Sequence, residues 1–261
     1  MTEILQRHDD RNVTTLTLDD DARLNALSDA MLDRLRVELA DIAASDARVV
    51  ILAAEGRAFC AGHDLREMQA MRQAPDGGTQ AFADLFDRCA VVMCAIRHLP
   101  QPVIARVHGM ATAAGCQLVA TCDLAVAAED ARFGVNGVNI GLFCSTPMVA
   151  LTRNLGRKRA MELLLTGEFL DAEAARAAGL VNRVVPADRL VAETRALADT
   201  IAGKLSAAVR IGKGAFHAQA EMPVDAAYDL TRDAMVANLA EPDTGEGIQA
   251  FLEKRAPRWT Q

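Results

Sequence analysis

The chain has 261 residues, of which 51% are hydrophobic and 24% charged, so it is long enough and apolar enough to bury one substantial core. This composition excludes a disordered chain, collagen and a coiled-coil array. The net charge of −7 and the scarcity of aromatic residues, with one Trp and one Tyr, also exclude a typical nucleic-acid binder. Such a protein needs a basic surface with interleaved aromatic rings.

Cysteine spacing and the N-terminal residues indicate the compartment. The six cysteines, at positions 60, 89, 94, 116, 122 and 144, form no CxxC pair and are too dispersed for a small disulfide scaffold, so we expect reduced thiols. The first residues, MTEILQRHDDRNV, are acidic and polar where a signal peptide needs an apolar stretch and a transit peptide avoids acids. No apolar run approaches the ~20 residues of a membrane span. The sequence therefore predicts a cytoplasmic protein without a membrane segment.

Strands and helices alternate through the first part of the chain. A β-branched segment at 13–18 predicts a strand, and Ser28 begins a helix with an apolar stripe at three- to four-residue spacing. The segments VVILAA and VIARVHG are typical of buried strands. Further helices are expected over 80–99 and from near Cys116, and a further strand at 123–127. This alternation predicts an α/β core.

From about Thr146 the pattern becomes helical. Gly179 predicts a helix end, a short strand is expected at 180–185, and the remaining residues have a helical pattern throughout. We therefore expect two units, a core over 1–195 and a helical C-terminal subdomain over 196–261.

Two loops that follow buried strands are rich in small residues. The first is AFCAGHDL at 58–65, and the second is VHGMATAAGCQL at 107–118, which runs into a helix start. Small residues let the backbone turn closely around a ligand, and free N–H groups at a helix N-terminus favour negative charge. Taken singly, each loop is equally typical of a tight turn. Together, they can hold an oxyanion.

Three segments closely resemble motifs of the enoyl-CoA hydratase/isomerase (crotonase) superfamily, both in their amino-acid sequences and in their order along the chain. They are FCAGHDL, VHGMATAAGCQL and TCDLAVAAEDARFG, and the resemblance runs from about residue 13 to the C-terminal FLEKR. The later stretches GVNIGLFCSTPMVAL and MVANLAEPDTGEGIQAFLEKRAPRW are most similar to one subgroup of that superfamily.

The resemblance implies a spiral of ββα turns with a helical trimerisation region, a homotrimer or a homohexamer of two stacked trimers, and acyl-CoA thioesters as substrates. It also implies that the thioester oxygen lies between the backbone N–H groups of His63 and Ala114. Ala114 stands where the family usually has glycine, and the donor survives that change unless the position requires a positive φ. Each such donor is typically worth ~3 kcal/mol of transition-state stabilisation.

The chain departs from the family's hydratases at the two catalytic positions. Family hydratases use two glutamates to position water and move its protons, and these positions align with Gln117 and Gly137. A carboxamide can orient a water or a carbonyl but has no useful pKa for proton transfer, and glycine offers only backbone. Losing a positioned acid or base typically costs ~10² to 10⁴ in rate, so efficient hydration is not expected.

Other groups can take over, and each has a structural alternative. The His63 side chain can face the cleft or pack the loop. Asp64 and Glu67 begin a helix, where acids are stabilised whether or not they do chemistry. Cys116 and Cys144 can supply a thiol or be buried hydrophobes.

Four more polar residues are more typical of structural roles. His108 and Asp123 lie at strand ends, where each is expected to make structural hydrogen bonds. Asn136 and Asn139 flank Gly137, where they can bind a polar acyl substituent or shape a turn.

An acidic protein that binds the roughly fourfold negative CoA needs local cations and backbone donors. The resemblance implies that these come from a CoA-binding set: Arg23, Leu24, Ala61, Asp64, Leu65, Arg66, Phe251 and Lys254. Arg23 precedes the LNAL segment, Ala61 and Leu65 would contact adenine and pantetheine, and the last two residues commonly reach in from a neighbouring subunit. For Arg57 and Arg66 a solvated surface charge is an equal alternative.

No metal-ligand spacing, no GxGxxG after the first strand and no Walker loop is present in the sequence, so we expect no metal and no cofactor besides the CoA of the substrate. The first hypothesis is a hydratase/isomerase-family enzyme of acyl-CoA metabolism. A second is a decarboxylase, thioesterase or isomerase that uses the same oxyanion hole, and a third is a catalytically silent acyl-CoA binder or partner subunit.

Overall fold

The computed structural model describes residues 3–260. Its strands are β1 (Leu5–Asp10), β2 (Val13–Leu18), β3 (Val49–Ala54), β4 (Ala58–Cys60), β5 (Val103–Val107), β6 (Met110–Thr112), β7 (Leu124–Ala128), β8 (Arg132–Gly134), β9 (Phe169–Asp171) and β10 (Arg183–Val185). Its helices are α1 (Asp29–Ala43), α2 (Leu65–Met71), α3 (Thr79–His98), α4 (Ala114–Thr121), α5 (Pro147–Asn154), α6 (Arg157–Thr166), α7 (Ala172–Ala178), α8 (Leu190–Ala202), α9 (Ser206–Gln219), α10 (Val224–Ala240) and α11 (Pro242–Leu252). Short 3₁₀ turns cover Asp21–Arg23, Asn136–Ile140 and Ala187–Arg189.

The strands form two sheets. The larger has the order β1-β2-β3-β5-β7-β10, antiparallel only between β1 and β2, and the smaller has the order β4-β6-β8-β9, antiparallel only between β8 and β9. A few residues after each of β3, β5 and β7, the chain enters β4, β6 and β8 of the smaller sheet. The recurring strand pair, followed by helices, confirms the α/β crotonase fold with its ββα spiral.

Strand β3 is buried on both faces, as its VVILAA composition predicts. Alternate side chains enter two separate cores: Val50 and Leu52 join the core covered by α1 and α3, whereas Val49 and Ile51 join the core covered by α8. The helices therefore sandwich the larger sheet. No helix among residues 3–260 combines the length and the apolar character that a membrane crossing requires.

Several predicted element boundaries agree with the structure. Ser28 caps α1 by accepting a hydrogen bond from the Met31 N–H at 3.2 Å, and Gly179, at φ +90°, ends α7. Helix α4 begins at Ala114, two residues before the expected start, which puts that residue in the first turn. Local patterns missed β1 and the three-residue strands of the smaller sheet, because three residues are too few to show a periodicity.

The C-terminal helices begin on the sheet and then leave it. Helix α8 covers the second core, and the predicted boundary at residue 195 lies within it. By contrast, α10 has no buried residue, although it carries exposed apolar side chains such as Tyr228 and Val236, 74% and 61% exposed. Although α10 packs against α9 and α11, its exposed apolar side chains have no covering element within residues 3–260.

An ion-paired cluster fastens α9 to the start of β7. The Lys213 ammonium lies 2.7 Å from Oδ2 of Asp123 and also donates to the carbonyl oxygens of Ile96 and Gln101, while Nε2 of His217 lies 3.1 Å from Oδ1. The Lys213 side chain is only 7% exposed. The structural role expected for Asp123 fits this arrangement, since the carboxylate also accepts the N–H of Val103.

We predict that Lys213→Met destabilises the fold by ~3 kcal/mol, because it removes the cationic partner of the part-buried Asp123 carboxylate and the donor to two carbonyls. The free energy of unfolding in urea measures the loss. Arg176→Met, which breaks an exposed pair with Glu173, is the control and should change that free energy by less than ~0.5 kcal/mol. Equal effects of the two variants would contradict the role assigned to the cluster.

Candidate functional site

The loop that follows β4 is held by backbone hydrogen bonds to the LNAL segment. The N–H of Leu27 donates to the carbonyl of Gly62 at 2.7 Å, and the N–H of Ala61 donates to the carbonyl of Leu24 at 3.0 Å. These bonds fix the segment from which the N–H of His63 projects. The loop is therefore ordered by its neighbours and does not depend on a ligand for its shape.

A buried asparagine anchors the LNAL segment itself. Asn25 is fully buried at φ +54°, and its Nδ2 donates to the carbonyls of Glu55 and Ala58, both at 2.8 Å. Its Oδ1 accepts the N–H of Asp20. This positioning role was not predicted from the sequence, although asparagine is among the non-glycine residues that adopt a left-handed conformation most readily.

Gly62 lets the two small-residue loops meet. It has φ +90°, and a Cβ placed on it would lie 3.0 Å from Cβ of Ala113 and 3.2 Å from the nitrogen of Ala114. Gly115 is packed more tightly still, because a Cβ there would lie 2.2 Å from the carbonyl oxygen of Cys60. The structure thus brings together the two loops that the sequence proposed as one site.

At the end of the second loop, a positive φ occurs at Ala113, one residue before the proposed donor. Ala113 has φ 49° and ψ −118°, a conformation that disfavours a side chain, whereas Ala114 is the first residue of α4. Position 114 therefore does not require a positive φ, so alanine can stand there and its backbone N–H remains available as a donor. The N–H groups of Ala114 and His63 donate to no other residue within 3–260. An unpaired buried N–H is costly, and Ala114 is only 1% exposed.

The His63 imidazole is neutral, and one of its two ring nitrogens has no hydrogen-bond partner within residues 3–260. Its Nδ1 lies 3.3 Å from the carbonyl of Leu27, and since a carbonyl only accepts, Nδ1 carries the proton. Its Nε2 is buried with no hydrogen-bond partner among the described residues, and the ring packs edge-on against Phe86 at 5.7 Å. Burial lowers the pKa of His63 below its ordinary value, which outweighs the opposite effects of Leu27 and Asp29.

Gln117 lies in α4, one turn after Ala114. It is 6% exposed, its N–H donates to the carbonyl of Ala113, and its Oε1 is buried without a hydrogen-bond partner in the described part of the chain. A long side chain on a helix leans back over the preceding turn. The carboxamide is therefore directed toward the turn that carries the N–H of Ala114.

No space is available for a side chain at Gly137. A Cβ there would lie 2.5 Å from the carbonyl oxygen of Leu142 and 2.9 Å from Sγ of Cys144, and the N–H of Leu142 donates to the Gly137 carbonyl at 2.9 Å. The loop at 142–144 thus occupies the volume that a side chain at 137 would need. At this position, a carboxylate and the observed loop are incompatible.

Two cysteines near the site are neutral thiols. Burial raises the pKa of Cys116 to about 12 and raises the pKa of Cys144 above its ordinary value. A thiol nucleophile needs the opposite shift, so the structure favours the apolar role for both. Nearby, the Thr112 hydroxyl donates to Oδ1 of Asn136 at 2.6 Å, and Asn139 packs beside Gly167.

The acids of the first loop have structural partners. Asp64 caps α2 by accepting the N–H groups of Arg66 and Glu67 at 2.8 and 3.4 Å, as its position predicts. The Arg23 guanidinium lies 3.3 Å from Asp64, 3.2 Å from Glu67 and 3.8 Å from Asp20. Much of the Arg23 charge is therefore compensated in the unliganded chain.

The remaining candidates for CoA contact lie on the surface. Leu65 is 55% exposed, Arg66 is exposed, and Phe251 is 82% exposed near the C-terminal end of α11. Lys254 follows at φ 56° and is also exposed. Phe251 has no polar side-chain atom, and within residues 3–260 the Lys254 ammonium makes no hydrogen bond to the AGHDL segment. Their expected role depends on a neighbouring subunit.

Two other sequence candidates are engaged in structural contacts. Nε2 of His108 lies 2.8 Å from the carbonyl of Gly56, which agrees with the structural role expected for it. Arg57 forms an exposed pair with Asp21, whose carboxylate also accepts the Arg57 N–H.

We predict that Gly137→Glu lowers the free energy of unfolding by at least ~2 kcal/mol, since its Cβ meets a backbone carbonyl. It should not create hydratase activity. Chemical denaturation measures the first effect and water addition to crotonyl-CoA the second. Gly212→Ala, where a Cβ meets no atom within 4 Å, is the control and should be neutral or stabilising. An active, fully stable Gly137→Glu protein would contradict this account of the loop.

We also predict a pH dependence that belongs to His63. Because its folded pKa lies below its unfolded value of ~6.5, the unfolded state takes up a proton first, and stability is lost as pH falls below ~6.5 toward the folded pKa. Relative to His63→Gln, the wild-type protein should lose up to ~1 kcal/mol between about pH 7.5 and about pH 5.5. Urea denaturation at both pH values measures the difference, and a constant difference would refute the prediction.

Comparison with known proteins identifies relatives over almost the whole chain. Residues 8–261 match the sequence model of the family described as enoyl-CoA hydratase/isomerase. A mouse protein named enoyl-CoA hydratase domain-containing protein 3, mitochondrial, is 45% identical over 249 residues, which cover 95% of this chain and 81% of the mouse protein. The resemblance to that subgroup, expected from residues 137–151 and 235–259, is confirmed.

Two crystal structures are closely similar. An enoyl-CoA hydratase from Mycobacterium smegmatis has a TM-score of 0.95 at 52% identity, with 99% of this chain and 100% of the other covered. Human enoyl-CoA hydratase domain-containing protein 3 has a TM-score of 0.93 at 44% identity, with 98% and 100% covered.

These relatives correct one expectation. The predicted cytoplasmic location is wrong, because the mouse, rat and human relatives at 44–46% identity are all named mitochondrial. The acidic and polar residues at 1–13, from which that location was predicted, were a poor guide to the compartment. The sequence match, the relatives and the superposed folds agree: the chain belongs to the enoyl-CoA hydratase/isomerase (crotonase) family.

Proposed function

We propose that this protein is an enzyme of acyl-CoA thioesters that stabilises an enolate-like oxyanion between the N–H groups of His63 and Ala114. The observation that supports it best is the pair of unpaired donors, one of them almost completely buried, on two loops in contact at Gly62. A thioester oxygen bound there would accept a hydrogen bond from each of the two N–H groups. The donors are held by the fold before the ligand arrives, so they need no reorganisation when charge develops.

The charge that these donors stabilise arises next to the thioester. When a bond at the carbon beside the carbonyl breaks, its electron pair moves toward the carbonyl oxygen. The two N–H donors, one on the first loop and one at the start of α4, lower the energy of that state more than the energy of the neutral thioester. This property supports isomerase, lyase or decarboxylase chemistry equally, because all of them pass through the same oxyanion.

Efficient hydration by a pair of carboxylates has less support. Gln117 cannot transfer a proton at neutral pH, and the loop at 142–144 fills the space beside Gly137. The neutral thiols of Cys116 and Cys144 do not replace an acid–base pair. This favours, as a second candidate, a reaction such as decarboxylation, in which loss of CO₂ forms the enolate without a protein base.

CoA itself is proposed to bind along the first loop and the LNAL segment. Arg66 offers an exposed cation, Leu65 an exposed apolar surface, and Arg23 a guanidinium that can exchange a carboxylate partner for a phosphate. Ala61 and Leu24 would contribute backbone and apolar contacts. Asp64 would act by holding α2 and Arg23 in place, since its carboxylate is engaged in both.

A homotrimer, or a homohexamer of two trimers, is part of the proposal. The exposed apolar side chains of α10 have no covering element within residues 3–260, and Phe251 and Lys254 are exposed. A neighbouring copy would bury the exposed apolar side chains of α10. It would also bring Phe251 and Lys254 to the adenine and a phosphate of CoA. We therefore expect the site to be completed across a subunit interface.

The first test is to incubate the protein with crotonyl-CoA, 3-hydroxybutyryl-CoA, malonyl-CoA and butyryl-CoA and to follow all products by mass spectrometry. We expect at least one thioester to be converted, and Gly62→Ala to lower that rate roughly 10²–10³-fold by displacing a donor. The matched control is Gly77→Ala, which carries a similar positive φ of +68° but meets no atom within 4 Å.

The outcomes separate the alternatives. A water adduct of crotonyl-CoA would show that hydration proceeds without the two carboxylates, and CO₂ from malonyl-CoA would show decarboxylation. Binding without any product would refute the proposed enzymatic activity and favour a catalytically silent acyl-CoA binder or partner subunit. Equal rates for Gly62→Ala and Gly77→Ala would refute the oxyanion hole.

A further inference from the structure

A cavity of about 510 Å³ lies at the amino ends of the parallel strands. Its lining includes Asn12, Arg48 and Pro102, which directly precede β2, β3 and β5. The two small-residue loops instead come after β3 and β5 along the chain. The six residues of β3 separate the two ends of that strand by ~16 Å. The cavity is therefore separate from the proposed oxyanion hole.

Positive charge dominates this lining, although the whole chain has a net charge of −7. Lys204, Arg210 and Arg48 line the cavity, and Asp46 is the one carboxylate among the described lining residues. Lys204 and Arg210 are exposed, and neither forms an ion pair in the described part of the chain. Arg48 is anchored, because its guanidinium donates to the carbonyl of Ala202 at 3.0 Å. Three cations against one carboxylate favour an anionic ligand.

Helix α9 begins at this cavity and adds backbone donors. Ser206, its first residue, lines the cavity, and the preceding Leu205 provides no side-chain acceptor for the first turn. The N–H groups of residues 206–208 donate to no group in the described part of the chain. The positive end of a 14-residue helix therefore adds to the charge of the three cations.

A buried glutamine in the lining has an unmet hydrogen bond. Gln101 is 6% exposed, and its Oε1 has no partner among residues 3–260. Its Nε2 is engaged, because it donates to the carbonyl of Ile42 at 2.9 Å. Ile42 is not part of the lining, so Oε1 is the atom of the carboxamide that remains for a ligand. A buried acceptor without a donor destabilises a fold, and a ligand hydroxyl would supply that donor.

The basic lining continues into an adjoining cavity of about 430 Å³. Arg210 lines both cavities, and Arg97 and His98 line the second. No carboxylate among the described residues lines this second cavity, although Lys213, which does, is paired with Asp123. The field around Arg210 is therefore positive on both sides.

We propose that the first cavity binds a phosphate monoester that carries a hydroxyl on its carbon chain. The charged side chains of the lining sum to +2 with Asp46 included, which matches one phosphate dianion. The phosphate would lie between Lys204, Arg210 and the start of α9, and the hydroxyl would donate to Oε1 of Gln101. This binding site is independent of the reaction at the oxyanion hole.

The test measures binding of glycerol 3-phosphate, methyl phosphate and glycerol by calorimetry in a phosphate-free buffer of low ionic strength. We expect a Kd of about 0.1–1 mM for glycerol 3-phosphate. Methyl phosphate, which lacks the hydroxyls, should bind roughly 5- to 10-fold more weakly, and glycerol should show no binding. Equal affinities for the two phosphates would refute the role of Gln101 and overturn the assigned ligand class.

Variants locate the phosphate. Lys204→Gln and Arg210→Gln should each weaken glycerol 3-phosphate binding at least ~10-fold, because each removes a cation that has no acid partner. Lys158→Gln is the matched control, since Lys158 is equally exposed and unpaired among the described residues but lies outside the lining. An equal loss in the control would overturn the site.

Competition separates this cavity from the proposed CoA site. A saturating concentration of CoA should leave the affinity for glycerol 3-phosphate unchanged. Displacement by CoA, or no binding of either phosphate, would overturn the proposal. The conversion of acyl-CoA thioesters is measured separately, so neither result decides the proposed function.

Discussion

The site depends on one close backbone contact, that between Gly62 and the turn at 112–114. Only a bare α-carbon allows it, because a Cβ on Gly62 would stand 3.0 Å from the methyl group of Ala113 and 3.2 Å from the nitrogen of Ala114. The contact sets the separation of the two proposed donors. The parallel strands, the buried Asn25 and the start of α4 all act to hold this geometry, with the strained φ of Ala113 as its local cost.

Much of the fold was predictable from the sequence, because long elements leave long patterns. The all-apolar VVILAA, the Ser28 cap and Gly179 each report a local physical requirement that the structure satisfies. The smaller sheet was not predictable from local patterns, since its strands are three residues long and are defined by pairing partners distant in sequence. The ββα spiral that contains this sheet was expected only from the resemblance of the motifs to a known family, because the periodicity of the sequence does not reveal it.

In the candidate site, too, some features were expected before the structure was known and others became visible only in the fold. Small residues and a helix start in the sequence indicate the two loops around Gly62 and Gly115, whereas His63, Ala114 and Gln117 were singled out by the resemblance to the family. The sequence does not reveal that a carbonyl fills the space at Gly137, nor that Nε2 of His63 has no partner. Those facts arise from chain segments that meet only after folding.

The closed space at Gly137 also limits how this chain can change over generations. A carboxylate at that position needs the 142–144 loop to move first, and the loop is bonded to Gly137 through the Leu142 N–H. A side chain at position 137 therefore strains the fold unless the loop has already been rearranged. Substitutions at 137 and in the loop at 142–144 are thus coupled, and the loop must change before a side chain at 137 can be accommodated.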